Sequence, residues 1–207
     1  MASSSRSNIV LTFSTTSCEF QKSQIKLAFW LLPFVDARTF CYIFYMKIYL
    51  IEGVSGTGKT TVCEELNRRG YKAIEADEEI AHYADPKTGL PTNEKIPDNW
   101  IWNKEKFNKA IEQEGDSSIF ICGGAMNQED FKHHFNKVFT LHIDDETLKY
   151  RLLHRINNDF GKHPDELALQ LEWNKGAVKY SKERGTILID AIKPVSEVVD
   201  EILSHTE

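Results

Sequence analysis

The segment richest in chemistry is Gly53-Val54-Ser55-Gly56-Thr57-Gly58-Lys59-Thr60, followed by Thr61. It matches the string G-x-x-x-x-G-K-[ST] in full. Glycines let consecutive backbone N–H groups curl around phosphate oxygens, an approach that side chains would obstruct. A helix opening directly after the loop points its positive end at the same anion. Lys59 can then reach the β- and γ-phosphates as a mobile point charge, and the Thr60 hydroxyl can ligate Mg²⁺. Residues Gly53 to Thr61 therefore predict a site for a nucleoside triphosphate with Mg²⁺.

Such a loop works only between a strand and a helix, and the flanking residues supply both. Lys47 to Glu52, KIYLIE, reads as a short strand. Thr61 to Arg69 reads as a helix that stops at Gly70. Beyond it, Tyr71 to Ala76 predicts a second strand, and Asp77 to Trp102 is turn-rich, with Pro86, Gly89, Pro91 and Pro97. Lys104 to Glu114 predicts a helix, Ser118 to Cys122 a strand, Gln128 to His134 a short helix and Lys137 to Ile143 a strand. Helices over Glu146 to Asn157 and Asp165 to Lys182, a strand at Thr186 to Asp190 and a helix at Val195 to Leu203 complete the chain. Short apolar strands alternating with helices predict an α/β fold, a three-layer sandwich around a five-stranded parallel sheet. Ligands in such sheets bind at the carboxyl ends of the strands, so the residues after each strand carry the function.

Composition narrows the classes. The 207 residues are 41% hydrophobic and 27% charged, ordinary for a globular chain, with a net charge of −6. An acidic balance disfavours a non-specific nucleic-acid binder, which needs clustered Lys and Arg. Cys18, Cys41, Cys63 and Cys122 form no C-x-x-C pair, which disfavours a disulfide framework or structural zinc and fits a reducing, cytoplasmic setting. Residues 1–45 read as an extension outside the fold, and 46–207 as the domain. The extension is Ser- and Thr-rich near its start and nets +2 against −8 for the rest. Its apolar runs, Leu27 to Val35 and Phe40 to Met46, fall short of the roughly 20 residues that span a bilayer. An organellar targeting peptide, a weak anchor, and translated upstream sequence ahead of a start at Met46 remain three readings of it.

The region from Met46 to about His205 resembles the small P-loop kinases, the group that includes nucleotide, shikimate and gluconate kinases. Besides the loop, the resemblance rests on four stretches. They are Glu75-Ala76-Asp77-Glu78-Glu79-Ile80, Ile121-Cys122-Gly123-Gly124, Leu148 to Arg155, and Ile189-Asp190-Ala191 with Pro194-Val195. It implies the strand order 2-3-1-4-5, and roles residue by residue. Asp77 would face the acceptor hydroxyl and take or orient its proton. Glu75 would sit near Mg²⁺, and Gly123 and Gly124 would present backbone to the acceptor. Arg151 and Arg155, four apart on one helical face, would open a mobile lid and clamp the transferring phosphoryl. Residues from Asn157 to Asp165 would form the lid tip.

Two departures stand out. Cys122 occupies the strand end where many P-loop enzymes carry an acidic Mg²⁺ ligand. No arginine occurs between Gly70 and Tyr150, where shikimate and nucleoside monophosphate kinases meet their anionic acceptors. The acceptor region offers aromatic faces instead, Trp100 and Trp102, which can stack on a base or sugar or else cover the core. Asn127 offers a hydrogen bond to an acceptor, or a turn. The expectation is ATP- and Mg²⁺-dependent phosphoryl transfer to a small hydroxyl-bearing acceptor, with no nucleic acid and no membrane span involved. The alternative is an ATP-binding or slow ATPase switch. A GTPase is disfavoured, since Asn174-Lys175-Gly176-Ala177 lacks the Asp of N-K-x-D. The oligomeric state is left open.

Overall fold

A computed structural model describes residues 47–112, 118–156 and 158–206. The extension and Asn157 of the expected lid tip lie outside these residues.

Strand β1 (Lys47–Glu52) leads through the glycine loop into helix α1 (Lys59–Arg68). The helix starts two residues before the predicted Thr61, because Lys59 and Thr60 already take helical geometry once Gly58 has turned the chain with φ 105°. Gly70, with φ 86°, ends it as expected. Strand β2 (Lys72–Glu75) follows, tied back to α1 by Asn67, whose amide donates to the Ala73 carbonyl at 2.8 Å and accepts from its N–H at 3.1 Å. The stretch read as turns contains more order than that. It holds a one-turn helix α2 (Ala76–Glu79) and an antiparallel hairpin of β3 (Ala81–Tyr83) and β4 (Trp100–Trp102). Helix α3 (Lys104–Ile111) then leads to β5 (Ser118–Cys122). A 3-10 turn (Gln128–His134) replaces the short α-helix expected there. Strand β6 (Lys137–His142), helix α4 (Asp145–His154), helix α5 (Pro164–Arg184), strand β7 (Ile187–Asp190) and helix α6 (Val195–Ser204) close the chain.

The main sheet is parallel with order β2-β5-β1-β6-β7, which is 2-3-1-4-5 when its strands alone are counted along the chain. Alternate residues of each strand bury into opposite layers. Tyr49, Ile51, Phe120, Phe139 and Leu141 join Leu66, Leu148, Val199 and Ile202 in one core. Ile48, Leu50, Ile119 and Ile121 join Trp102, Phe107 and Phe131 in the other. The hydrophobic effect on both faces makes the sheet a rigid platform, and the loop after β1, the middle strand, sits at its carboxyl edge. No helix among the described residues is long and apolar enough to cross a membrane.

Candidate active site

The loop from Gly53 to Gly58 wraps the space in front of α1. A Cβ on Gly53 would lie 2.8 Å from both the Leu141 carbonyl oxygen and Thr57 Oγ1, so only glycine lets the loop pass this close to β6. Thr57 is buried, and its hydroxyl donates to the Val54 carbonyl at 2.9 Å, which fixes the curl. Lys59 Nζ lies back over the loop, 2.9 Å from the Gly53 carbonyl and 3.2 Å from that of Val54. Burial lowers the Lys59 pKa, and the nearby carboxylates of Asp77 and Glu75 oppose that fall. The ammonium at the mouth of the loop thus feels the charge of two acids.

At the first turn of α1, Thr60 donates its hydroxyl to Glu75 Oε1 at 3.1 Å. Glu75 Oε2 is buried with no hydrogen-bond partner among the described residues. Burial, with a smaller push from Asp77, raises the Glu75 carboxyl to about 7 against the pull of Thr60 and Lys59. A hydroxyl and an unsatisfied carboxylate oxygen at one spot are hard donors that fit Mg²⁺, which binds proteins through one or two such ligands and takes the rest from phosphate and water. No cluster of three or more His, Cys, Asp or Glu suited to a metal occurs among the described residues. Cys122, at the end of β5, is fully buried, and its thiol is pushed up by burial and by the Cys63 thiol beside it. It brings no charge to this spot.

Both arginines reach the loop, but not as a helical pair. Helix α4 ends at His154, and Arg155 has extended backbone, φ −67° and ψ 145°. Arg151 spans from the Thr57 carbonyl (Nη1, 3.3 Å) to the Ala191 carbonyl after β7 (Nη2, 3.2 Å). Arg155 Nη2 donates to Ser55 Oγ at 3.0 Å and to the Phe160 carbonyl, while Nε donates to the Asn158 carbonyl at 3.1 Å. Neither is drawn off by Asp144 or Asp145. Asp144 caps α4 through the Thr147 N–H at 2.8 Å, and Asp145 binds the Asn174 amide at 2.9 Å.

On the acceptor side, Asp77 Oδ1 accepts a hydrogen bond from Trp100 Nε1 at 3.3 Å. Trp100 is half-buried and lies 4.8 Å from the Tyr83 ring. Gly123 packs directly beneath this acid, since a Cβ there would lie 3.3 Å from Asp77 Oδ1 and 2.7 Å from Ala76 Cβ. Gly124 is next to it with more room, the nearest group to its Cβ position being Gln128 Oε1 at 3.7 Å.

Two expected acceptor residues are placed elsewhere. Trp102 is 1% exposed and packs against Phe107, Phe131 and Phe135, so no ligand can stack on it. Asn127 spends both ends of its amide on the Trp102 backbone, accepting from N–H at 2.8 Å and donating to the carbonyl at 3.0 Å. Together they hold the hairpin against the loop after β5. Gln170 is a residue the sequence did not point to. It is buried on α5, and its Oε1 accepts the Ser55 N–H at 2.7 Å, clamping the tip of the phosphate loop. Glu52 is another, a buried carboxylate just before the loop held by the Thr140 hydroxyl at 2.8 Å and the Gln128 amide.

A protein-family model described as "AAA domain" matches residues 50–172, more than half of the chain. No curated protein matches by sequence. Among solved structures, a deoxyadenosine kinase from M. mycoides with bound dATP aligns with TM-score 0.52 at 16% identity, over 77% of this chain and 99% of that one. A gluconokinase from Sinorhizobium meliloti 1021 aligns at 19% identity and TM-score 0.49, over 77% of this chain and 91% of that one. A shikimate kinase from Bacteroides thetaiotaomicron aligns at 16% and 0.48, over 77% and 98%. The deoxyadenosine kinase shares the P-loop fold described above.

Proposed function

Since the chain belongs to the AAA domain family, we propose that it is an ATP-dependent phosphotransferase that moves the γ-phosphoryl group to the hydroxyl of a small acceptor. The observation that carries this reading is the carboxylate of Asp77. Its charge partly offsets the fall that burial imposes on the Lys59 pKa, it is oriented by an indole N–H, and it forms no ion pair among the described residues.

The roles follow from the contacts. The backbone N–H groups of the loop and Lys59 bind the β- and γ-phosphates. Thr60 and Glu75 would hold Mg²⁺, which when bound neutralises charge on the phosphate oxygens. Arg155, at the loop tip, meets the charge on the moving phosphoryl, and Arg151 braces the loop against the segment after β7. Asp77 orients the acceptor O–H and takes its proton as the new O–P bond forms and the bond from the γ-phosphorus to the leaving ADP oxygen breaks. Most of the rate enhancement would come from positioning and fixed charge. We assign this role to residues 46–207 and none to the extension.

Cys122 favours a second reading. The end of β5 offers a thiol where a carboxylate would hold metal firmly, which suits an ATP-binding or slowly hydrolysing switch. The two readings separate in one assay. The full chain is given Mg²⁺, γ-labelled ATP and a panel of nucleosides, nucleotides, sugars and sugar acids, with Lys59→Ala as control. Label on an acceptor, lost in the variant, supports the kinase. Label released only as phosphate supports the switch. Undiminished turnover by Lys59→Ala refutes both.

A further inference from the structure

If the domain is a phosphotransferase, as proposed above, the acceptor hydroxyl must approach Asp77 from the side away from Lys59. That side is built by α2 and the β3–β4 hairpin. Helix α2 carries three acids, Asp77, Glu78 and Glu79, and Glu75 precedes it. Trp100, whose indole N–H reaches Asp77 at 3.3 Å, packs on Tyr83 with ring centroids 4.8 Å apart and planes tilted by 60°. The hairpin is held in place independently of any ligand: the Asn103 N–H donates to the Ile80 carbonyl at 3.1 Å, and the Met126 N–H to the Trp100 carbonyl at 2.9 Å.

The segment that builds this wall carries lysines, Lys87 and Lys95, but no guanidinium. Residues 71–150 contain no arginine. Lys72 donates to the Ala110 carbonyl at 3.1 Å, far along the sheet from Asp77, and Lys132 pairs with Glu129 at 3.3 Å on the 3-10 turn. Among the described residues, Lys59 interacts electrostatically with Asp77, and both Lys59 and Arg155 are bound to the phosphate loop. A carboxylate or phosphate on the acceptor would therefore meet like charge with no guanidinium to receive it. An ammonium group meets acids on one side and the negative faces of two aromatic rings on the other.

We propose that the acceptor is an alcohol bearing an ammonium group, an amino alcohol or amino sugar, with no carboxylate or phosphate of its own. The hydroxyl goes to Asp77, and the ammonium lies between the α2 acids and the faces of Trp100 and Tyr83.

The test has two arms, and the first does not depend on turnover. In the full chain carrying Trp30→Phe and Trp173→Phe, the remaining tryptophans are Trp100 and Trp102, and Trp102 is 1% exposed and out of reach of ionic quenchers. Caesium should then quench the fluorescence about threefold more effectively than iodide, because the local field concentrates cations. Quenching by iodide equal to or above that of caesium overturns the proposal. In the second arm, glucosamine, glucose and gluconate, matched in size and differing in charge, compete in the label-transfer assay and in binding followed by the same fluorescence. Glucosamine should bind about tenfold more tightly than gluconate, and Glu78→Gln with Glu79→Gln should narrow that ratio. Faster transfer to gluconate, or tighter binding of it, overturns the proposal while leaving the kinase reading intact. A caesium preference without transfer to any alcohol sinks the kinase reading and leaves the charge preference of the wall standing.

Discussion

Gly123 joins the sheet to the candidate base, and replacing it should separate acceptor chemistry from ATP binding. A Cβ at this position would lie 2.7 Å from Ala76 Cβ and 3.3 Å from Asp77 Oδ1. Carbon atoms in contact prefer about 3.5–4.0 Å, so α2 must retreat by about 1 Å. Ala76 is fully buried. Overpacking of this kind costs about 1–3 kcal/mol. The backbone, at φ 155°, also lies where an alanine is strained, which adds about 1 kcal/mol or more. A total of about 3 kcal/mol lowers the melting temperature of a domain this size by about 6–12 °C. A carboxylate displaced by about 1 Å loses about 10²-fold in kcat/KM for the acceptor. The loop N–H groups, Lys59 and the arginines are untouched, so ATP affinity should hold. Gly124→Ala is the internal control. Its Cβ meets only Gln128 Oε1 at 3.7 Å, an ordinary contact, and stability should change by less than about 0.5 kcal/mol. Melting by far-UV circular dichroism, ATP titration by calorimetry and label transfer read out the three quantities. A Gly123→Ala protein that melts with the wild type, or a Gly124→Ala protein that falls as far, would refute this account of how Asp77 is placed.

Three more expectations concern neighbouring groups. Arg155→Lys keeps the charge but loses the fork between Ser55 and the Phe160 carbonyl, so kcat should fall about 10²-fold with the KM for ATP nearly constant, and an equal loss in ATP affinity would contradict its assignment to the moving phosphoryl. Glu75→Gln removes a charged oxygen beside Thr60 and should raise the Mg²⁺ concentration for half-maximal activity by about tenfold, and an unchanged Mg²⁺ titration would remove Glu75 from the metal site. Hydrogen bonds from Arg68 and Arg69 hold the Glu65 carboxyl down at about 2, below its ordinary 4.5. That stabilisation is complete above the ordinary value and drains away as pH falls towards 2, so Glu65→Gln should destabilise the protein at pH 7 and lose its effect near pH 2, as denaturant melts across that range would show.

Some of this was legible because it is written contiguously. Gly53 to Thr60 needs no distant partner to be recognised, and KIYLIE and SIFIC read as buried strands from their own composition. Helix α4 shows the limit of periodicity. Leu148 and Leu152 set its buried face, but its end is decided by the chain's turn towards Phe160, so Arg155 leaves the helix and reaches Ser55 from an extended backbone. The prolines between Asp85 and Asp98 masked the hairpin, since all three lie outside β3 and β4, Pro91 in an isolated bridge to Ala84 within the connecting loop. Trp100 and Trp102 share one face of β4 and look alike in sequence. What separates them is depth: one end of the strand covers the Phe107 cluster while the other reaches Asp77. Gln170 lies 115 residues from Ser55, and nothing local marks a buried glutamine as a clamp on a loop so far away in sequence.

The hairpin has a bearing on how such a chain could change its trade. The groups that would hold the triphosphate and its metal come from the β1–α1 loop, the end of β2, α4 with the residue after it, and α5, whereas the wall beside Asp77 comes from one continuous insert, residues 76–103. That insert is fastened to the rest by a few stitches, chiefly the Asn127 bracket on Trp102 and the backbone bond from the Met126 N–H to the Trp100 carbonyl. Ancestral duplication followed by drift within this cassette could retarget the acceptor while leaving the triphosphate machinery unedited. A laboratory graft that keeps Ala76, Asp77, the Trp102 backbone bracket and Gly123 could do the same in one step.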